Sequence, residues 1–411
     1  MSDAEPSPVR IPTKRYEARR NAMIAAAVES LNQRGVRGMT LADVTARLNR
    51  VPTGVVYYFK NKEELAAAAF MKAIARFDQL VAASEAHLLV SDRIEALVRG
   101  YLAFCHDVTT GNAEPIVVFN DVRALNMPAV NEAYVAMFRR TRSLISCHHD
   151  LPREHLNART HLLLSQLFWI PAWLGNWQPE DYPRVADRVT GILLDGIAAS
   201  RGVWPNAARL NLETFADAKA SPSSELYLRA ATQLINDEGY HGASVERIAA
   251  KLNVSKGAFY HHNETKDQLV VACFQRTVDL LWLAVREAEA HRGSGLQTLV
   301  AITSALLEHQ MIGDAPLLRT SALTTVPESI RAGLIGKLAR ITFRISSIVC
   351  DGMADGSVRP VDASVAAEMI TAAVNAAAEL YFWVPGIGAA TVTDYYLKPL
   401  FAGMGNVRPG R

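Results

Sequence analysis

The stretch RVPTGVVYYFKNKEEL, Arg50–Leu65, returns in similar form as VSKGAFYHHNETKDQL, Val254–Leu269. Each aligned residue is displaced by the same 204 positions, and the agreement extends back to Arg20 and Ser224 without a gap. A fixed offset over such a length indicates duplication. We call residues 20–65 the first head and residues 224–269 the second head. Identical pairs include Ala26/Ala230, Asn32/Asn236, Gly35/Gly239, Gly38/Gly242, Leu48/Leu252, Asn49/Asn253, Lys62/Lys266 and Leu65/Leu269.

Each head has the pattern of three short helices. In the first head, apolar residues at helical spacing occupy positions 22–34, and Gly35 is a suitable C-terminal stop. Thr40 is a predicted N-cap with Asp43 completing a capping box, and the second head has a serine at the position of Thr40. After a short break, a third helix is predicted over 53–59. Two short helices joined by a tight turn form a helix-turn-helix.

The two copies, Thr40–Phe59 and Ser244–Asn263, resemble the DNA-binding motif of TetR-type transcriptional regulators. The first copy departs from the family pattern at Val56, where a tyrosine is usual. The second departs at Asn263, where a buried phenylalanine is usual. The second copy matches the pattern at Gly239, Ser244, Ile248, Ala249, Val254, Ser255, Gly257, Tyr260, His262, Lys266 and Leu269.

This resemblance implies an all-α chain of two tandem TetR-like units. Each would have an N-terminal three-helix helix-turn-helix domain and a C-terminal helical domain for ligand binding and dimerisation. The sequence FWIP at Phe168–Pro171 recurs as FWVP at Phe382–Pro385, so the duplication continues beyond the heads. Because both halves lie in one chain, we expect them to pair as an internal pseudo-dimer. The predicted segments are a flexible basic arm (1–16), a first helix-turn-helix domain (17–77), a first helical domain (78–202), a linker (203–223), a second helix-turn-helix domain (224–281) and a second helical domain (282–411).

Double-stranded DNA is the expected partner of both heads. Helix N-termini carry backbone N–H groups and a positive dipole end, which suit phosphate contacts. A basic arm holding Lys14, Arg15, Arg19 and Arg20 could reach a neighbouring minor groove, the alternative being a solvated tail. The predicted DNA-binding residues are Thr40, Arg50, Pro52, Thr53, Tyr57, Tyr58 and Lys62 in the first head, and Ser244, Ser255, Lys256, Tyr260, His261 and Lys266 in the second.

The charge of the two heads differs. Residues 1–62 contain eleven basic and five acidic side chains, whereas residues 224–266 contain five of each. DNA affinity depends largely on phosphate neutralisation, so the first head is expected to dominate. Because the heads carry different side chains, we predict an operator with unlike half-sites about one helical turn apart. A palindromic operator would count against a single-chain pseudo-dimer that uses both heads.

Aromatic residues in the C-terminal part of each half are candidates for an effector cavity. Such a cavity would suit a small apolar or aromatic molecule. Each residue taken singly is more often part of a hydrophobic core than of a ligand site. The candidates are Phe104, Phe119, His161, Phe168, Trp169, Trp173 and Trp177 in the first half, and Trp282, His309, Phe343, Tyr381 and Trp383 in the second.

The sequence gives little support for a metalloprotein, an enzyme or a membrane protein. The four cysteines are far apart, and His148, His149, Asp150 and His155 suit a solvated loop better than a metal site, so neither a metal nor a cofactor is expected. Phosphate-binding glycine loops, GxSxG elbows and HExxH helices are missing, which argues against an enzyme. The N-terminus lacks the apolar core of a signal peptide, and the most apolar segments are interrupted. We therefore expect a cytoplasmic protein without a membrane span.

The predicted function is ligand-responsive regulation of transcription, as a repressor rather than an activator. Ligand binding would change the separation or tilt of the heads, as the resemblance implies. The alternative is a TetR-shaped helical binding protein in which one or both heads no longer bind DNA. Whether whole chains pair further as a homodimer stays open.

Overall fold

The computed structural model describes residues 13–48, 53–146, 151–200, 202–212, 222–253, 265–312, 316–319, 322–323, 326 and 328–405. Within these ranges the chain is helical and contains no strand, apart from an isolated β-bridge between Ala198 and Val358. The predicted all-α class is confirmed for the described residues, and the two halves repeat one plan of helices.

The first half consists of a head and five longer helices. A 3₁₀ segment, Phe119–Leu125, precedes its sixth helix. The helices are α1 (Lys14–Gly38), α2 (Leu41–Arg47), α3 (Thr53–Val56), α4 (Lys62–Ser84), α5 (Val90–Thr109), α6 (Pro128–Ser146), α7 (Arg153–Trp173) and α8 (Tyr182–Asp195).

The second half repeats this plan in its described parts. Short 3₁₀ and π turns, Ala377–Glu379 and Thr393–Leu397, interrupt its last helices. The helices are α9 (Pro222–Gly242), α10 (Val245–Lys251), α11 (Lys266–Ala290), α12 (Gly295–Ile312), α13 (Glu328–Ala354), α14 (Ala363–Ala376), α15 (Leu380–Trp383), α16 (Ala389–Val392) and α17 (Lys398–Ala402).

Local sequence signals explain the ends of the first helices. The Thr13 side chain accepts a hydrogen bond from the Tyr16 backbone N–H, so α1 begins at Lys14. Lys14, Arg15, Arg19 and Arg20 are therefore helical, and the expected basic arm is wrong for these four residues. Gly35 has a φ of 68° and kinks α1 where a stop was predicted, and a last turn continues to Gly38.

The second helix of each head is capped as the sequence predicts. Thr40 and Asp43 form a capping box, in which each side chain accepts a hydrogen bond from the other residue's backbone N–H. Ser244 accepts a hydrogen bond from the Arg247 backbone N–H at the start of α10. The third helix is shorter than the predicted 53–59, because α3 ends at Val56 and continues as a turn.

The two halves pack against each other through their C-terminal helices. Helices α7 and α8 of the first half contact α14 and α17 of the second. The Gln166 side-chain amide donates to the Met369 carbonyl over 3.2 Å, and a His161 ring nitrogen lies 2.9 Å from the Ala376 carbonyl. This arrangement is an internal pseudo-dimer built around four helices.

Two glycines at equivalent places close this interface. Gly196 and Gly403 follow α8 and α17 with φ of 73° and 90°. A side chain on Gly196 would collide with the Phe401 carbonyl, and one on Gly403 with the Leu194 carbonyl. The close approach lets the Ile197 backbone N–H donate to the Phe401 carbonyl over 2.8 Å. Both halves thus end in the same left-handed turn.

The described part of the predicted linker, residues 203–212, packs on the protein. Leu210 and Leu212 are buried, and the Gln297 side-chain amide donates to the Asn206 carbonyl over 2.9 Å.

Within the described ranges, α11 alone is long and apolar enough to cross a membrane. Its most apolar window is 61% buried inside the protein, which is typical of a core helix.

Candidate nucleic-acid interface and effector cavity

The first head presents an aromatic cluster beside α3. The Tyr16 ring lies 4.7 Å from the Tyr58 ring and 6.1 Å from the Tyr57 ring, measured between centroids. Tyr57 is 75% exposed, whereas Tyr58 is half-buried. Behind them, the Arg20 guanidinium lies 5.1 Å from the centroid of the buried Phe59 ring. Tyr57 therefore projects from a packed support, a suitable geometry for contact with DNA.

Lys62 and Thr40 lie at helix N-termini on the same head. The Lys62 ammonium donates to the Arg37 and Met39 carbonyls over 3.3 and 3.4 Å. These long contacts hold its charge next to the capping box of Thr40. Of the other candidates here, Arg50 and Pro52 lie outside the described residues, and only the backbone of Thr53 is described, as the first residue of α3.

The corresponding part of the second head is described only in part. Ser244 caps α10 and Lys266 begins α11, in the same places as Thr40 and Lys62. Lys266 is half-buried, and desolvation lowers the pKa of its ammonium group. The other candidates of the second head lie outside the described residues, namely Ser255, Lys256, Tyr260 and His261.

The two heads contact each other at the C-terminal ends of α1 and α9. The Arg37 guanidinium forms an ion pair with Glu238 at 3.1 Å, and Glu238 also pairs with Arg247 of its own head. Glu238 is thus held between one arginine from each head. This ion pair links the two heads directly.

A cavity of about 340 Å³ lies inside the first half. Phe104, Phe119 and Phe168 line it, as do several residues that the sequence did not single out, among them Tyr101, Cys105 and Tyr182. Its walls are mostly apolar, and burial raises the pKa of the Cys105 thiol to about 12, so this thiol stays protonated. The cavity suits an apolar or aromatic molecule.

Other predicted effector residues lie elsewhere. His161, Trp169 and Trp383 surround a space of about 70 Å³ between the halves, too small for most ligands. Burial lowers the pKa of the His161 imidazole, whose contact with the Ala376 carbonyl belongs to the interface. Phe343 is 77% exposed, so its assignment to a cavity is wrong.

The remaining aromatic candidates pack against other parts of the protein. Trp173 and His309 are buried, and Trp282 and Trp177 are partly buried against the core. Tyr381 is half exposed and packs on Phe382 with ring centroids 4.0 Å apart. Of the histidines considered for a metal site, His155 packs on Tyr395, and residues 148–150 lie outside the described ranges. The described residues contain no cluster of metal-ligating side chains.

Asn32 joins the cavity to the first head. Its side-chain amide donates to the Ile116 carbonyl over 3.0 Å, and its carbonyl oxygen accepts from the Val118 backbone N–H over 2.9 Å. Asn32, Ile116 and Val118 also line the cavity. The segment between α5 and α6 is therefore attached to α1 by two hydrogen bonds. We call this pair of bonds the first asparagine clamp.

The second half repeats the clamp with its own residues. The Asn236 amide donates to the Leu317 carbonyl, and the Arg319 backbone N–H donates to the Asn236 carbonyl oxygen, each over 2.9 Å. We call these bonds the second asparagine clamp. The sequence shows Asn32 and Asn236 as an identical pair, but their partners become visible only in the fold.

A family model matches the heads, and two curated proteins match parts of the chain. The model for bacterial regulatory proteins of the tetR family matches residues 23–69 and 228–273. The HTH-type transcriptional activator FasR of Mycolicibacterium smegmatis is 37% identical over 89 residues, which are 21% of this chain and 41% of FasR. The TetC protein of transposon Tn10 from Escherichia coli is 40% identical over 48 residues, which are 12% of this chain and 24% of TetC. The chain thus matches less than half the length of either curated relative.

Among solved structures, the chain is similar to AibR. Apo AibR aligns with a TM-score of 0.37 and 21% identity, over 44% of this chain and 98% of AibR. AibR in complex with isovaleryl coenzyme A and operator DNA aligns with a TM-score of 0.36 and 21% identity, over 44% and 97% of the two chains.

Proposed function

We propose that this chain, in which two units of the TetR family follow one another, is a ligand-responsive transcriptional regulator that binds operator DNA with two unlike heads. The observation that carries the proposal is the first asparagine clamp, because it connects a DNA-binding domain directly to an apolar cavity. The family consists of DNA-binding regulators rather than enzymes, and the chain is accordingly no enzyme.

The internal pseudo-dimer supports binding with both heads of one chain. Relatives with a single unit would need two subunits to place two heads on DNA, whereas here α7, α8, α14 and α17 supply the interface within the chain. Thr40, Tyr57, Tyr58 and Lys62 would contact DNA from the first head, and Ser244 and Lys266 from the second. The operator would then have unlike half-sites. Pairing of whole chains is not required.

The effector we propose is a small apolar or aromatic molecule in the cavity of about 340 Å³. Its entry would displace the segment around Ile116 and Val118, and Asn32 would transmit that movement to α1. Because Arg37 of α1 is paired with Glu238 of the other head, a tilt of α1 would change the separation of the heads. A coupling free energy of about 1–3 kcal/mol suffices for control. Lower DNA affinity with ligand would make the protein a cytoplasmic repressor.

The test begins with genomic DNA fragments incubated with the purified full-length chain, followed by sequencing of the bound fraction. We expect enrichment of a small number of promoter fragments. The absence of enrichment at low salt would overturn the proposal and favour a TetR-shaped binding protein that has lost DNA binding.

The effector part is tested on an enriched fragment with 1-naphthol as an apolar probe. We expect 1-naphthol to lower DNA affinity of the wild-type chain. Cys105→Phe, which fills the cavity, should abolish this response. Cys350→Phe is the matched control, because Cys350 is exposed and lies on α13 in the other half. Equal responses of the two variants would contradict the cavity assignment.

A further inference from the structure

A second cavity, of about 420 Å³, lies at the boundary between the halves. Helix α6 and the first turns of α7 form one wall, and the segment Phe382–Pro385 forms the other. It is separate from the apolar cavity of the first half, with which it shares no lining residue. Of its lining residues, only Trp383 is among the predicted effector residues.

Four arginines line this second cavity, against a single acidic residue, Glu154. The arginines are Arg123, Arg139, Arg142 and Arg153. Among the described residues, none of the four forms an ion pair with a carboxylate. Arg140, their neighbour on α6, differs because it pairs with Glu85 at 3.1 Å outside the cavity. The cavity therefore concentrates positive charge that the described protein does not neutralise.

The proximity of these charges is visible in the electrostatics of Arg142. Burial lowers the pKa of its guanidinium, and the positive charges of Arg153 and Arg139 lower it further. Like charges gathered in a concave, partly apolar site raise the local potential and attract anions. An anion bound among them would relieve this repulsion.

The positions of two arginines are fixed in advance. Asn157 accepts a hydrogen bond from Arg142 over 2.9 Å and donates one to the Trp383 carbonyl over 2.7 Å. The Arg123 guanidinium lies over the Phe382 and Trp383 rings, at 4.2 and 5.0 Å from their centroids. Such contacts reduce the side-chain entropy lost on binding, and the rings add an apolar floor.

We propose that this arginine cavity binds a small organic phosphate, with the phosphate groups among Arg139, Arg142 and Arg153 and the apolar part against Trp383. Guanidinium groups bind phosphate oxygens through paired, charge-assisted hydrogen bonds, and their planar shape lets them stack on aromatic rings. The ligand thereby bridges the two halves, because the arginines and Trp383 belong to different halves.

A comparison of the two duplicated halves predicts one arginine cavity in each chain rather than two. The partners of the two asparagine clamps, Ile116 and Leu317, are displaced by 201 residues. The same displacement places Arg340 opposite Arg139, but Phe343 opposite Arg142 and Ala339 opposite Phe138. Since Phe343 is exposed and carries no charge, the second half lacks the arginine that corresponds to Arg142. The stoichiometry is therefore one phosphate ligand per chain.

Isothermal titration calorimetry on the full-length chain without DNA tests the proposal, with pyrophosphate and ADP as probes. We expect one site per chain for ADP, and weaker binding of pyrophosphate at the same site. Arg142→Gln combined with Arg153→Gln should weaken ADP binding at least tenfold. Arg140→Gln, the matched loss of one charge on α6, should change it less than twofold. Thermal unfolding of each variant shows whether it is folded, and removing repelling charges should not lower the Tm.

Three results would overturn the proposal. One is the absence of binding of both probes to the wild-type chain, and another is equal weakening in the Arg140 variant. The third is displacement of ADP by duplex DNA together with lost DNA affinity in the double variant, which would assign the arginines to the DNA interface. Because the titration contains no DNA, its result is independent of the regulator proposal.

Discussion

The two heads share one backbone plan but differ in charge and in how they are stabilised. The buried residues of the first head belong to one continuous core with the helical domains, whereas those of the second head form a separate cluster with Leu318, Val326 and Leu334. The first head has an excess of basic residues and the second has none. Duplication has therefore preserved the fold while the surfaces and the internal contacts have diverged.

A buried ion pair illustrates the divergence. In the second head, Glu225 of α9 pairs with Arg276 of α11 at 2.8 Å, and both side chains are more than 90% buried. The first head has Asn21 and Lys72 at these positions, and Lys72 pairs with Glu114 on the surface. The second half thus has a buried charge pair where the first half has two polar residues at the surface. This contrast can be tested by matched substitutions.

The largest expected effect is on the stability of the second head. Arg276→Met should destabilise it by about 3 kcal/mol, because Glu225 is then left buried with only the partly exposed Arg229 as a partner. Lys72→Met in the first head should cost less than about 1 kcal/mol, since its ion pair is exposed. Hydrogen exchange of the amides of α1 and α9 measures both changes. Similar losses of stability in the two variants would contradict this difference between the heads.

The next effect concerns the asparagine clamps. Asn32→Ala and Asn236→Ala should each cost about 1–3 kcal/mol, because each leaves a part-buried carbonyl and a part-buried backbone N–H without their partner. Only Asn32→Ala should also abolish the response of DNA affinity to 1-naphthol, since the apolar cavity lies in the first half. Fluorescence anisotropy of a labelled operator, with and without the probe, separates the two variants. Loss of the response in the Asn236 variant alone would assign the effector to the other half.

A smaller effect is expected from single charges at the DNA surface. Lys62→Gln should weaken DNA binding about tenfold and reduce the salt slope by about one. Lys266→Gln should weaken it less than about threefold, because the second head carries no excess of basic residues to neutralise phosphates. Anisotropy titrations at several salt concentrations provide both numbers. A larger loss for the Lys266 variant would reverse the proposed order of the heads.

The sequence predicts the parts of the fold that local signals determine. The Thr40 capping box and the helical class follow from residue types at short spacing, whereas Gly35 kinks α1 where a stop was predicted. Thr13 caps α1 just before Lys14. This N-cap signal was missed because the basic residues of the region were interpreted as an arm. The family pattern located both heads because its residues are adjacent in the chain.

The parts that depend on tertiary packing could not be predicted from the sequence. Phe343 is apolar and lies on a helix, but which face of α13 meets the core depends on the neighbouring helices. The arginine cavity combines residues of α6 and α7 with residues more than two hundred positions away. Likewise, Asn32 gives no sign in the sequence that it binds the segment containing Ile116. These features arise where separate elements meet.

The central claim is that one chain uses two different heads on one operator. Selection of bound sequences from random duplex DNA, with the purified full-length protein, tests it most directly. The account predicts a motif with two unlike half-sites about one helical turn apart, and Lys62→Gln should weaken selection in one half only. A palindromic motif would contradict the claim, because it would mean that equivalent heads from two chains bind the DNA.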